Sequence, residues 1–145
     1  MAKTTYGNYV LTEPKVKIME IKPTSKPTFG LSEELMDGIK KFDTNFNFVA
    51  ILGPHVLMDP PHKHDCDELL FFISTDPENP TDLGGEVEIA LGDEWEKHVI
   101  KTSAIICLPR GMAHCPVYVR KVERPFYFGH LLMAPSYGSS AMANE

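Results

Sequence analysis

The sequence predicts an all-β domain, built as an antiparallel sandwich or barrel. Two observations support this class. Short segments of alternating or continuous apolar residues recur along residues 46–133, and clusters of glycine, proline and acidic residues separate them. Many short strands joined by such turns are typical of two packed sheets or of one sheet closed on itself.

Seven segments carry the strand pattern in this region. The clearest alternation places Val87, Ile89 and Leu91 on one face of a strand. A long polar loop with two prolines is expected over residues 74–85. The predicted strands are residues 46–52, 68–73, 86–91, 95–101, 104–108, 117–119 and 126–133.

The two ends of the chain differ from this central region. Residues 16–22 alternate like a strand, and the prolines at 23 and 27 are expected to end it. Residues 32–40 predict a short helix, which Ser32 can cap, packed over the end of a sheet. We therefore expect an N-terminal extension (residues 1–45) packed on the barrel, one domain (46–133) and a flexible tail (134–145).

Composition excludes several partners. The chain has 145 residues and a formal net charge of −6, which argues against a nucleic-acid groove or an anionic membrane surface. No apolar run approaches the roughly 18 residues of a membrane span, and the first residues lack the apolar core of a signal peptide. Three cysteines, an odd number, fit reduced thiols. These features predict a cytoplasmic protein.

The strongest functional signal lies at the mouth of the strand 68–73. His62 and His64 are two residues apart, so on an extended chain both point to one face, and Glu68 has the same parity. His114 follows a turn that contains Pro109 and Gly111, of the kind that links two strands. These side chains predict a metal site, with the ordinary surface or core histidine as the alternative.

The two segments, His62-x-His64-x-x-x-Glu68 and Pro109-x-Gly111-x-x-His114, resemble the two motifs of the cupin superfamily. The resemblance covers about residues 46–133. It implies a double-stranded β-helix, or jelly-roll barrel, in which three histidines and one glutamate bind a divalent metal. It also implies that His62, His64, Glu68 and His114 are the four ligands.

The donor chemistry is consistent with this ligand set. Neutral imidazoles with one carboxylate suit Fe, Mn, Ni or Zn as divalent ions, whereas structural zinc sites are more often rich in thiolates. Four protein ligands on an octahedral ion leave two positions for substrate, water or dioxygen. The predicted cofactor is therefore a divalent transition metal.

Four further residues are candidates for the pocket. Cys66 shares the parity of the ligands, so it is either a thiol beside the metal, a redox-sensitive group, a ligand, or simply a small residue at a bend. His130 lies among aromatic residues, as a core histidine or as an acid or base lining the pocket. Tyr118 and Arg120 share parity with His114 and are candidates to contact an anionic or carbonyl substrate, with an ordinary structural role as the alternative.

The remaining thiols are expected to be structural. Cys107 lies in an apolar strand and is predicted to be in the core. Cys115 has the opposite parity to His114 and is expected to point away from the site. We predict no disulfide among Cys66, Cys107 and Cys115.

Two classes of function follow. The first is a metal-dependent enzyme of the dioxygenase, decarboxylase or isomerase type that acts on a small organic molecule. The second is a non-catalytic cupin that binds or senses a small ligand. The sequence lacks a phosphate-binding glycine loop, a serine nucleophile elbow and a Cys-x-x-Cys pair. A homodimer is expected, because a small barrel leaves edge strands to cover and because cupins commonly pair.

Overall fold

The computed structural model describes residues 4–10, 12, 24–31, 43–57, 61–134 and 140–141. One 3-10 turn, Gly7–Tyr9, precedes the strands. The strands, in chain order, are β1 (Ser25–Leu31), β2 (Asn45–Ile51), β3 (His55–Leu57), β4 (His62–Lys63), β5 (Glu68–Ile73), β6 (Asp82–Leu91), β7 (Glu96–Thr102), β8 (Ala104–Leu108), β9 (His114–Val122), β10 (Phe126–Leu132) and β11 (Ser140–Ala141).

These strands form two antiparallel sheets. The five-stranded sheet has the order β1-β2-β10-β5-β8, and the six-stranded sheet has the order β11-β4-β9-β6-β7, with β3 also paired to β9. The fold is the expected all-β jelly roll. The closed barrel is a correction, because no strand pairing joins the two sheets within the described residues.

The seven predicted strands are all present, and two of them are longer than expected. The strand predicted at 86–91 begins at Asp82, because residues 82–85 continue along it and Gly85 pairs with Val122. The strand predicted at 117–119 spans His114–Val122. The polar loop is therefore shorter than residues 74–85.

Strand β1 contains Pro27, one of the two prolines that were expected to end the strand predicted at residues 16–22. It pairs with β2 along its length and has an irregular register between Pro27 and Phe29. Proline is compatible with this place because an edge strand does not need every N–H for a ladder. The strand predicted at 16–22 and the helix predicted at 32–40 lie outside the described residues.

Two residues of the segment that was expected to be a flexible tail form a strand. Ser140 and Ala141 form β11 and pair with Lys63 and His62. A short strand from this segment therefore borders one of the predicted metal-site residues.

The core lies between the sheets and is strongly apolar. Alternate residues of each strand point inward, as expected for a sheet with one buried face. The side chains that are less than 2% exposed include Phe72, Phe126, Ile51, Leu70, Leu83 and Ile89. Glu68 and His114 are buried to the same degree. Among the described residues, these two side chains mark the polar end of an otherwise apolar interior.

The three cysteines are free, as predicted, but Cys107 is exposed rather than part of the core. It lies on β8, whose alternate residues Ile105 and Cys107 face outward. The error arose because an apolar edge strand need not be buried on both faces.

Among the described residues there is no helix long and apolar enough to cross a membrane.

Candidate metal centre

The candidate site lies where the chain passes from one sheet to the other. His62 belongs to β4 of the six-stranded sheet and His64 follows it, whereas Glu68 opens β5 of the five-stranded sheet. Residues 65–66 form a bend between them. The prediction that these three side chains share one strand face is therefore wrong in detail. They converge from two sheets across this bend.

His114 joins these residues from the start of β9, directly opposite His62. The turn before it is tied to the first motif by its backbone. The Gly111 N–H donates to the carbonyl of His64 over 2.9 Å, and the Arg110 N–H donates to Asp67 Oδ1 over 2.9 Å. Gly111 has a φ of +81°, a conformation that favours glycine. The two motifs are thus fixed against each other.

Three imidazoles converge at this point. Their candidate ligand atoms, one each from His62, His64 and His114, lie within 4.8 Å of one another. Glu68 Oε1 lies 3.0 Å from His114 Nε2 and 3.5 Å from His64 Nε2. The His114 and Glu68 residues are each 1% exposed. The four predicted ligands therefore meet in a closed polar cluster.

The protonation of His114 follows from its contacts. Its Nδ1 lies 3.1 Å from the carbonyl oxygen of Met112, which can only accept, so Nδ1 carries a proton. In a neutral ring Nε2 then holds a lone pair, and this lone pair lies 3.0 Å from Glu68 Oε1. The separation is short enough for a hydrogen bond, but neither atom has a hydrogen-bond partner of acceptable geometry. Two electron-pair donors held so close in a buried site require a cation, either a proton or a metal.

The charge of Glu68 follows the same logic. Its burial alone would raise its pKa, but the short contact with His114 and the charges of His64, His114 and His130 outweigh burial and lower the pKa below its ordinary value. Glu68 is therefore an ionised carboxylate, which is the form that binds a metal.

The donor atoms fit a metal ion. Bonds of about 2.1 Å to nitrogen and oxygen give ligand–ligand distances of roughly 3.0–3.4 Å at octahedral or tetrahedral angles. The two distances to Glu68 Oε1, 3.0 and 3.5 Å, lie close to that range.

His130 lies on the inner face near this cluster, in the position expected of a pocket residue. It is 7% exposed, and its Nε2–H donates to Asn45 Oδ1 over 2.8 Å. Burial lowers the pKa of His130 to about 4, with Glu68 raising it and His64 lowering it further. His130 is therefore neutral at physiological pH.

Asn45 is a site residue that the sequence reasoning missed. The signal was present, since Asn45 and Asn47 share parity with Val49 and Ile51 and thus mark polar positions on an inward strand face.

Tyr118 and Arg120, two of the pocket candidates, do not face the cluster. Leu91 pairs with His114 and Ile89 pairs with Val117, so β9 has one extra residue here, a β-bulge. Cys115, at a φ of 79°, lies in the bulge.

The extra residue reverses the alternation of side chains beyond it. Val117 and Val119 join the core, and Arg120 is exposed over the ring of Tyr118, bonded to Glu88 over 3.2 Å. Cys115 is buried in the apolar core.

Cys66 lies half-buried in the bend that joins the two motif strands. Burial raises the pKa of its thiol, and the carboxylates of Glu68, Asp65 and Asp67 raise it further. A thiol with a raised pKa is less ionised at neutral pH and therefore less available as a nucleophile or a ligand.

The sequence matches no protein-family model and no curated protein. Solved structures are similar in fold. An oxalate oxidase in complex with the substrate analogue glycolate matches with a TM-score of 0.61 and 15% identity, over 93% of this chain and 64% of that one. The chain thus spans less than two thirds of the length of that oxalate oxidase.

Two other structures extend the comparison. Lactobacillus farciminis oxalate decarboxylase, in a formate complex, matches with a TM-score of 0.58 and 12% identity over 86% of this chain and 33% of that one. The Schizosaccharomyces pombe Cnp3 cupin domain matches with a TM-score of 0.50 and 10% identity over 85% and 67%. The chain therefore shares its fold with these three structures, one of which is a cupin domain.

Proposed function

We propose that this protein is a metal-dependent enzyme that acts on a small organic molecule, with one divalent transition ion held by His62, His64, Glu68 and His114. The observation that carries the proposal is the 3.0 Å approach of His114 Nε2 to Glu68 Oε1 in a buried site. A cation between these atoms removes the cost of burying an ionised carboxylate beside a lone pair.

The chain itself prepares this donor set. The Met112 carbonyl holds the tautomer of His114 in which Nε2 is the ligand atom, an arrangement common for metal-binding histidines. The bond from Gly111 to the His64 carbonyl holds the two motifs together before any ion binds. A bound divalent ion would supply Lewis-acid or dioxygen chemistry at this point.

Small carboxylic acids are the substrate class that we propose. The similar structures include enzymes of oxalate, crystallised with glycolate and formate. In this chain a substrate would meet the neutral His130 and its partner Asn45 on the inner sheet face. His130 is thus the candidate acid or base, whereas Arg120 lies on the outside.

A non-catalytic cupin that binds or senses a small ligand is the alternative. The observation that favours it is the closure of the site, since His114 and Glu68 are each 1% exposed. A substrate needs access and a product needs a way out, whereas a bound ion needs neither.

Turnover by the metal-loaded protein tests the proposal. Metal-free protein is loaded separately with Fe(II), Mn(II), Ni(II) or Zn(II) and incubated with oxalate, glycolate and other small acids, diketones and phenols. Oxygen consumption and mass spectrometry report turnover. We expect turnover with at least one ion, its loss in His62→Ala and its retention in His98→Ala, a surface histidine paired with Glu96. Stoichiometric ion binding without turnover of any compound would contradict the enzyme and support the binding module.

A further inference from the structure

A serine and a histidine outside the metal cluster form a hydrogen-bonded pair. Ser25 Oγ lies 2.7 Å from His55 Nε2, and His55 Nδ1 lies 2.8 Å from the carbonyl oxygen of Gly53. A carbonyl oxygen can only accept, so Nδ1 carries a proton. In the neutral ring Nε2 then holds a lone pair, and the Ser25 hydroxyl donates to it. The histidine is therefore held in the tautomer that can take a proton from the serine.

The pair lies at the boundary between the two sheets, far from the metal cluster. Ser25 opens β1 of the five-stranded sheet opposite Ile51, whereas His55 opens β3, which pairs with β9 of the six-stranded sheet. Strand β2 runs from Asn45, at the metal-centre end, to Ile51. At ~3.3 Å per residue, this strand separates the two places by about 20 Å. The pair is therefore not part of the candidate metal centre.

The backbone of Ser25 supplies a further polar group. The Leu52 N–H donates to the Thr24 carbonyl over 2.7 Å, so these two residues form a hydrogen-bonded pair of the antiparallel ladder. The next pair, Ser25 and Ile51, is then a non-hydrogen-bonded pair, in which both N–H groups point away from the partner strand. In the part of the chain that the structure describes, no strand pairs with this outer side of β1. The Ser25 N–H can therefore donate to an oxygen that becomes charged beside Ser25 Oγ.

We propose that Ser25 is a nucleophile activated by His55, and that its substrates are esters of short acyl groups. A nucleophile within hydrogen-bond reach of a base, which a third group orients in turn, is the arrangement by which proteins activate a serine. Here the Gly53 carbonyl is the orienting group. Both side chains are half-buried, so a reactant can reach them, and we expect the acyl group to be short.

The expected reaction has two steps. In the first, Ser25 Oγ bonds to the acyl carbon while its proton passes to His55 Nε2, and the ester C–O bond breaks to release the alcohol, which takes up that proton. In the second, water attacks the acyl carbon and gives a proton to His55. The bond between the acyl carbon and Oγ then breaks, and Oγ takes up the proton. The products are the alcohol and the acid, and no oxidant is consumed.

Labelling of the full chain by a fluorophosphonate probe tests the nucleophile. The probe phosphonylates an activated serine and releases fluoride, and mass spectrometry of the digested protein locates the label. We expect label on Ser25, none at this position in Ser25→Ala, and a labelling rate at least about a hundredfold lower in His55→Gln. Ser103→Ala is the matched control, since Ser103 Oγ donates to the Pro80 carbonyl rather than to a base. Its Ser25 should be labelled as in wild type.

The release of p-nitrophenol from p-nitrophenyl acetate gives a second measurement. A rapid release of about one equivalent per chain should precede slower turnover, and this rapid phase should be absent in Ser25→Ala. Denaturant unfolding of the variants separates chemistry from packing, because the pair also ties the two sheets together. No label on Ser25 in wild type would overturn the proposal. A destabilised His55→Gln whose Ser25 is labelled as fast as in wild type would overturn it as well, and would show that the pair is a structural contact.

Discussion

The interior between the two sheets has an apolar end and a polar end, and the same two strands build both. On β5 the inward residues run from Glu68 to Phe72, and on β10 they run from Phe126 to His130. At the apolar end the ring of Phe72 packs on those of Phe126 and Phe128, with centroids 6.4 and 4.9 Å apart. At the polar end an ionised carboxylate lies among histidines. One sheet face thus carries both the apolar packing that stabilises the fold and the candidate site.

The difference between the two ends teaches where the free energy of folding comes from. Burial of the aromatic rings stabilises the fold without any ligand. Burial of Glu68 and His114 costs free energy unless a cation lies between them. The polar end is therefore expected to destabilise the metal-free fold locally, and metal binding is expected to remove this cost. The apolar end is expected to keep the chain folded with or without metal.

The largest expected effect is at the apolar end. Phe72→Ala removes a fully buried ring and should lower the free energy of unfolding by about 3–5 kcal/mol. The metal content of the folded protein should not change, since Phe72 is not one of the candidate ligands and packs on Phe126 and Phe128 at the apolar end. Denaturant unfolding measures the first effect and elemental analysis the second. Ile73→Ala, next in sequence but facing outward, is the control and should cost about 1 kcal/mol or less. Equal losses in both variants would contradict this account of the core.

The pH dependence of the metal-free protein tests the polar end. The pKa of His130 is about 4 in the folded chain against an ordinary 6.5. The unfolded chain therefore binds a proton at this histidine first as pH falls, so the stability that His130 contributes is lost from pH 6.5 down to about 4, with no further loss from this group at lower pH. The loss should be roughly 3 kcal/mol, at about 1.4 kcal/mol per pKa unit.

The matched variant for this measurement is His130→Gln, followed by chemical unfolding at several pH values. The lowered pKa of Glu68 gives a loss of the same sign at lower pH. The variant should therefore have a shallower slope between pH 6.5 and 4, and an unchanged slope would show that His130 is not held neutral.

The smallest expected effect is on the outside of β9. Arg120→Ala removes an exposed pair with Glu88 and should cost about 0.5 kcal/mol. Metal content and any turnover should match wild type, because the bulge at Cys115 turns Arg120 away from the site. A loss of turnover in this variant, with stability preserved, would contradict this placement and support the alternative in which Arg120 contacts substrate.

The sequence reasoning succeeded where one local rule decides the structure. Alternation placed Glu68 and His130 inward, and the spacing of His62, His64 and Glu68 with His114 identified the cluster. It failed where the pairing between strands decides which way a side chain points. One extra residue in β9 reversed Tyr118 and Arg120, and this bulge is visible only against Ile89 and Leu91 on the neighbouring strand.

Two other differences have the same origin. The position of β8 at a sheet edge exposes Cys107, which its apolar neighbours in sequence had suggested was buried. The bend at residues 65–66 sends Glu68 into the other sheet, which parity along one strand does not reveal. In each case the deciding contact is distant in sequence.

The most direct test of the central claim is the metal content of the folded protein, measured by elemental analysis after equilibration with Fe, Mn, Ni or Zn as divalent ions. We expect one ion per chain in wild type and in His98→Ala, and a large loss in His62→Ala, His64→Ala, Glu68→Ala and His114→Ala. Affinity should fall on acidification, since imidazoles must be neutral to bind. Wild-type stoichiometry in all four ligand variants would contradict the four-residue site.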